Sequence, residues 1–114
     1  MENHFKRVTG IEEFSELVRQ SEQQPVVIFK HSTSCGVSAS AYDEMEQFPG
    51  EVMLVEVQRA RELSQEIEKR TGIRHETPQV LILEKGNVVW NASHWKVKAQ
   101  AVAEAVNSSR KQNR

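Results

Sequence analysis

The sequence predicts an α/β domain: a mixed four-stranded sheet flanked by helices, in the order β-α-β, crossover helix, β-β-α, with an extra N-terminal helix. Three observations carry this reading. Val26-Val27-Ile28-Phe29 is an unbroken apolar run between turn residues, the pattern of a central strand buried on both faces. Helically spaced segments alternate with the apolar runs through residue 72, as crossover connections between parallel strands require. Lys85-Gly86-Asn87 then joins two apolar runs as a hairpin turn.

Taken in order, Thr9 and Glu12 fit a capping box that opens a helix over residues 10–22. Ile11, Phe14, Leu17 and Val18 share its apolar face. The first strand is Val26 to Phe29, followed by the small, polar run Ser32-Thr33-Ser34-Cys35-Gly36-Val37-Ser38. A second helix is expected over 36–47, with Val37, Ala41, Met45 and Phe48 inward, and Pro49-Gly50 stops it. Val52 to Val57 is the next strand, and Arg61 to Arg70 a helix closed by Gly72 in the left-handed conformation. Pro78 precedes the strand Gln79 to Leu83, and Val88 to Asn91 completes the hairpin. A last helix over about 96–107 gathers Val97, Ala101, Val102 and Ala105 on one face. Residues 1–108 are expected to form one domain, with 109–114 a polar tail.

At 114 residues the chain can bury a core without disulfide staples. Its formal charge of −1 gives no reason to expect nucleic acid or a membrane surface as the main partner. Residues 1–9 contain no apolar run of the signal-peptide kind, so a cytoplasmic location is expected. A single cysteine excludes an intramolecular disulfide and a multi-cysteine metal site.

Most unpaired cysteines are buried and inert. Cys35 has the wrong neighbours for that, being flanked by hydroxyls and glycine at a strand-to-helix junction. In an open α/β sheet, this is the crevice where ligands collect. The first turn of the following helix supplies unpaired N–H groups that favour thiolate over thiol. Gly36 permits close backbone approach, and the hydroxyls of Ser32, Thr33, Ser34 and Ser38 are further candidate donors to sulfur. His31, His75 and His94 are candidates to tune the thiol or relay protons, His94 being the first choice. Their spacing, with one cysteine, makes a poor zinc signature, and no metal site is expected. Lys30 could attract a ligand carboxylate, and Trp95 could form a rim for a client protein.

The segments Lys30-His31-Ser32, Ser34-Cys35-Gly36-Val37-Ser38, Thr71-Gly72-Ile73-Arg74-His75-Glu76-Thr77-Pro78-Gln79 and Val89-Trp90-Asn91-Ala92-Ser93-His94 together resemble the single-cysteine bacilliredoxins. These are small thioredoxin-fold proteins of the Firmicutes bacillithiol system, and the likeness spans nearly the whole chain. It implies a thioredoxin-like fold and a cis Thr77-Pro78 bond facing the cysteine. It further implies an oxidoreductase that exchanges thiols and disulfides through Cys35, with Thr77 pairing an extended thiol ligand as an added strand. The implied co-substrate is bacillithiol, with no tightly bound cofactor, and the implied partners are S-thiolated client proteins. Glycine follows the cysteine where that family has proline. The resulting Cys-Gly-Val-Ser is close to the Cys-Gly-Phe-Ser of monothiol glutaredoxins, which bind glutathione and often an iron–sulfur cluster. A cluster carrier and a non-catalytic thioredoxin-fold interaction module are therefore the alternatives.

Overall fold

In the computed structural model, residues 4–112 are described, with side chains through Ser109. Five strands form one sheet, β1 (Phe5–Arg7), β2 (Val26–His31), β3 (Val52–Glu56), β4 (Gln79–Glu84) and β5 (Asn87–Ser93). Their order across the sheet is β1-β3-β2-β4-β5. The helices are α1 (Ile11–Gln20), α2 (Gly36–Gln47), α3 (Arg61–Thr71) and α4 (Ala99–Gln112). Short 3₁₀ turns at Val57–Arg59 and His94–Lys96 follow β3 and β5.

The central pairings are as expected. β2 runs parallel to β3 and antiparallel to β4, and β4 to β5 is an antiparallel hairpin with an irregularity between Ile82 and Leu83. The fifth strand corrects the four-strand expectation. β1 pairs parallel with β3, Phe5 opposite Val52 and Arg7 opposite Leu54. Three residues at a sheet edge, two of them charged, carry no periodicity that sequence reading could detect.

All six residues of β2 and all six of β4 are buried, so alternate side chains feed two cores. Val26, Ile28, Met53, Val55, Leu81 and Leu83 meet Phe14, Leu17, Leu63 and Ile67 of α1 and α3. On the other face Val27, Phe29, Val52, Leu54, Val80 and Ile82 meet Ala41, Met45, Val102 and Val106 of α2 and α4. Each fully buried side chain of this kind contributes about 1.5–3 kcal/mol.

Helix boundaries move in instructive ways. Glu13, not Glu12, caps the start of α1, its Oε1 accepting from the N–H groups of Gly10 (3.0 Å) and Thr9 (3.1 Å) and from the Thr9 hydroxyl (3.2 Å). Gly10 is therefore the N-cap, one residue later than expected. Gly72 does take the left-handed conformation, φ 74°, and its N–H bonds Glu68 O at 2.9 Å. At the carboxyl end α4 begins at Ala99, and Val97 is buried outside it. The helix continues to Gln112, and Ser109 is buried, so the segment expected as tail from 109 is helical over its described part. No helix among the described residues is long and apolar enough to cross a membrane.

Candidate active site

β2 and β3 run parallel and end together, His31 beside Glu56, while Gln79 at the start of β4 lies beside Lys30. The loop after β2, the 3₁₀ turn after β3 and the proline loop before β4 consequently share one end of the sheet. Cys35 stands at this end as the N-cap of α2, in extended conformation with φ −116° and ψ 128°. It is half-buried, and its carbonyl accepts from the Ala39 N–H at 3.0 Å. Cys35 thereby adjoins the first-turn N–H groups of α2, which lack intrahelical partners, and its side chain makes no capping hydrogen bond to them.

The Ser32–Ser34 loop is held from two sides. Gln58 Nε2 donates to Ser32 Oγ (2.8 Å) and Ser34 Oγ (3.0 Å), and Gln58 Oε1 accepts from the Thr33 N–H (3.2 Å). From beneath, Ser38 Oγ accepts from the Ser32 N–H at 2.9 Å and lies 2.8 Å from His31 Nδ1. The Ser38 hydroxyl thus joins the His31 ring to the loop backbone at Ser32. Burial pushes the His31 pKa below its ordinary value, with Glu56 opposing, and the ring packs against Tyr42 with centroids 4.9 Å apart.

Two sequence expectations change here. Ser38 is fully buried and committed to His31, so its hydroxyl is not a donor to sulfur. His31 is neither exposed nor hydrogen-bonded to the thiol; it fixes the loop that carries Cys35. A Cβ added at Gly36 would meet nothing within 4 Å, so packing inside the chain does not require glycine there, and α2's first turn is open on that side.

The Thr77-Pro78 peptide bond is cis, with Pro78 buried and Thr77 half-buried. His94 is exposed, takes a positive φ of 57°, and donates its N–H to Pro78 O at 2.8 Å. Its ring belongs to the proline loop's charge cluster, where Glu76 is held below the usual carboxylate range by the Ser93 hydroxyl and, more weakly, by His94. Among the described residues, no hydrogen bond joins His31, His75 or His94 to Cys35. No group of three or more His, Cys, Asp or Glu among those residues is arranged to hold a metal ion.

Sequence reasoning missed Gln58 and the pair Lys30–Gln79. Nothing in Val57-Gln58-Arg59 distinguishes Gln58 from a surface glutamine. Lys30 ends an apolar run and reads as the first solvated residue after a strand, yet it is fully buried inside β2. Trp95 is 62% exposed at the rim, next to His94.

A mixed sheet with a cysteine capping the helix after its central strand, across from a cis-proline loop, defines a thioredoxin-fold thiol oxidoreductase. Solved structures agree. A protein described as having a thioredoxin fold, and provisionally as an oxidoreductase, matches with TM-score 0.81 and 31% identity over 89% of this chain and 92% of its own. The thioredoxin of Trypanosoma brucei brucei superposes with TM-score 0.72 at 16% identity, over 94% of this chain and 91% of its own. Thioredoxin f of spinach chloroplast gives 0.69 at 22% identity, over 96% and 99%. At those identities the two thioredoxins speak for the fold alone. Residues 6–102 match the family described as Monothiol bacilliredoxin BrxC. The chain belongs to the monothiol bacilliredoxin family.

Proposed function

We propose that Cys35 is the nucleophile of a monothiol exchange that removes bacillithiol from mixed disulfides on client proteins. The observation that carries this is the position of the chain's one cysteine, half-exposed at the N-cap of α2 on a loop braced by Gln58 and Ser38. Family membership supports bacillithiol as the small thiol.

In the first step the Cys35 thiolate attacks the small thiol's sulfur in the mixed disulfide. A Cys35–small-thiol disulfide forms, the client–small-thiol bond breaks, and the client sulfur leaves as thiolate and takes a proton from water. The thiolate of a second small-thiol molecule then attacks the sulfur of the bound one. This releases a symmetrical small-thiol disulfide and regenerates the Cys35 thiolate. One cysteine requires that the resolving thiol come from another molecule, a second small thiol as written or a separate redoxin, because no second thiol in the chain can resolve the intermediate. Ser34, the first turn from Gly36, and the Thr77-Pro78 loop frame the ligand, with Thr77 offering its backbone to an extended partner. The reading expects a cytoplasmic protein.

Intact-mass measurement after incubation with a bacillithiol-mixed disulfide or a glutathione-mixed disulfide tests it. Gain of one bacillithiol, absent in Cys35→Ser, is the expected result; no adduct from either disulfide defeats the exchange reading. The Cys35-Gly36-Val37-Ser38 sequence supports a second reading, an iron–sulfur carrier, whose mark would be an absorbing, cluster-linked dimer after anaerobic reconstitution.

A further inference from the structure

Next to the Cys35 loop, and separate from the cysteine itself, lies a pocket of about 320 Å³ between α3 and the loop before β4. Gln58, Arg61, Ser64, Gln65, Glu68 and His75 line it. Its volume is at the lower end of the range for small-molecule sites. Gln58 is the shared wall: its amide grips Ser32, Thr33 and Ser34 while the same residue borders the pocket. A molecule bonded through sulfur to Cys35 can therefore lay its remaining atoms across Gln58 into this space.

The charges in the pocket are separated along its length. Arg61 and Glu68 are seven residues apart on α3, hence on one face and about 10 Å apart along the axis. Arg61 has no ion-pair partner among the described residues. As the first residue of α3 its charge also opposes the helix dipole. Glu68 anchors the far end, its Oε2 accepting from the His75 N–H at 2.8 Å, and its charge reaches the buried Lys30. The rest of the polar lining is neutral: the amides of Gln58 and Gln65 and the hydroxyl of Ser64, which donates to Ala60 O at 2.9 Å.

We propose that this pocket is the specificity subsite for the small thiol, taking a molecule that carries both a carboxylate and an amino group. The carboxylate lies toward Arg61 near the Cys35 loop and the amino group toward Glu68. The proposal rests on the exchange reading for its sulfur chemistry, but not for binding. Low-molecular-weight thiols with such charges include bacillithiol and glutathione. Neutral thiols lack the groups the pocket matches.

The test uses the full chain with Cys35→Ser, so that binding is read without chemistry. S-methyl-bacillithiol and S-methyl-glutathione are titrated in separate arms while backbone amide shifts are followed. The expected result is saturable shifts at Gln58, Arg61, Gln65 and His75 in at least one arm, the tighter arm naming the source. Arg61→Gln should weaken that binding about 10-fold, and Glu68→Gln should weaken it comparably while keeping an acceptor for the His75 N–H. In the otherwise native chain, Arg61→Gln should lower exchange with the charged mixed disulfide about 10-fold and leave a 2-mercaptoethanol mixed disulfide unaffected. Absence of shifts in both arms overturns the subsite, as does an equal loss for charged and neutral disulfides. Shifts without exchange would retain the subsite and remove the exchange reading; exchange without shifts would do the reverse.

Discussion

Lys30 Nζ donates to Gln79 Oε1 at 2.8 Å, joining residues that are also cross-strand partners in the β2–β4 register. Gln79 Nε2 in turn donates to Arg74 O at 2.9 Å and reaches toward Ser93 Oγ at 3.4 Å. One buried amide thus ties the central strand, the proline loop and the hairpin edge together. The cation is tolerated because Gln79 accepts from it and Glu68 and Glu76 lie in its field. Burial nonetheless dominates, and the Lys30 pKa falls from 10.5 to about 8.

That depression fixes a pH dependence. Between about pH 8 and 10.5 the unfolded chain holds a proton on Lys30 that the folded chain has released, so stability rises with pH across this window. Below it both states are protonated and the contribution is constant. A depression from 10.5 to about 8 corresponds to about 3 kcal/mol. Urea unfolding of wild type and Lys30→Met at several pH values from 7 to 10.5 should show the wild type gaining relative to the variant by roughly that amount. Parallel curves would mean that the ammonium is not desolvated.

Ser38 is expected to matter more than a helix serine ordinarily does. Ser38→Ala removes the partner of His31 Nδ1 and of the Ser32 N–H, both within the fold. Leaving a buried polar group unsatisfied costs about 1–3 kcal/mol. The variant should lose about 2 kcal/mol in urea unfolding, and the Ser32 amide should exchange faster with solvent. A loss below about 0.5 kcal/mol would show that His31 and the loop are held by other contacts.

The sequence carried the architecture wherever burial leaves a pattern. Val26–Phe29 and Gln79–Leu83 show as apolar runs because both faces of β2 and β4 are covered, and Gly72 and Pro78 mark backbone geometry that few residues adopt. Cys35 stood out by its polar neighbours. What stayed hidden depends on contacts between distant residues. β1 exists because His4 O and Phe5–Arg7 meet the open edge of β3, not because of local preference. Ser38 and His31 were visible as candidates, but their mutual hydrogen bond gives them a supporting role that spacing could not reveal. Gln58 braces a loop more than twenty residues earlier in the chain, which no local pattern encodes.

The two acidic residues at the start of α1 separate sequence reading from structure. Glu13 accepts from the Thr9 and Gly10 N–H groups, and these bonds, Thr9's first, hold its pKa below the usual carboxylate range. A depressed carboxylate stabilises above its unfolded pKa and loses that contribution as pH falls through the folded value. Glu13→Gln keeps an oxygen acceptor and removes only the charge, so it should cost about 0.3–1 kcal/mol near neutral pH, the worth of a charge at a helix N-terminus, and the difference from wild type should shrink below pH 4. Glu12→Gln should change little at either pH. If Glu12→Gln proved the costlier variant, the box would be the one expected from Thr9 and Glu12.

Gln58 offers the sharpest link between the brace and the chemistry. Its carbonyl accepts the Thr33 N–H and its amide holds the hydroxyls on either side, so Gln58→Ala releases three bonds from the loop that ends at Cys35. These groups are solvent-accessible and water can replace Gln58, so global stability should fall by less than about 1 kcal/mol. Loop order should fall further: the Thr33 amide should exchange with solvent markedly faster. If that order sets the geometry of attack, the rate constant for Cys35 with any mixed disulfide should drop about 10-fold. The loss should extend to a neutral 2-mercaptoethanol disulfide, which has nothing to place in the pocket beyond Gln58. Loss with the neutral disulfide distinguishes a residue that positions the thiol from Arg61, whose removal should spare it. Unchanged exchange with a faster Thr33 amide would show that the loop's order and the reactivity of Cys35 are independent.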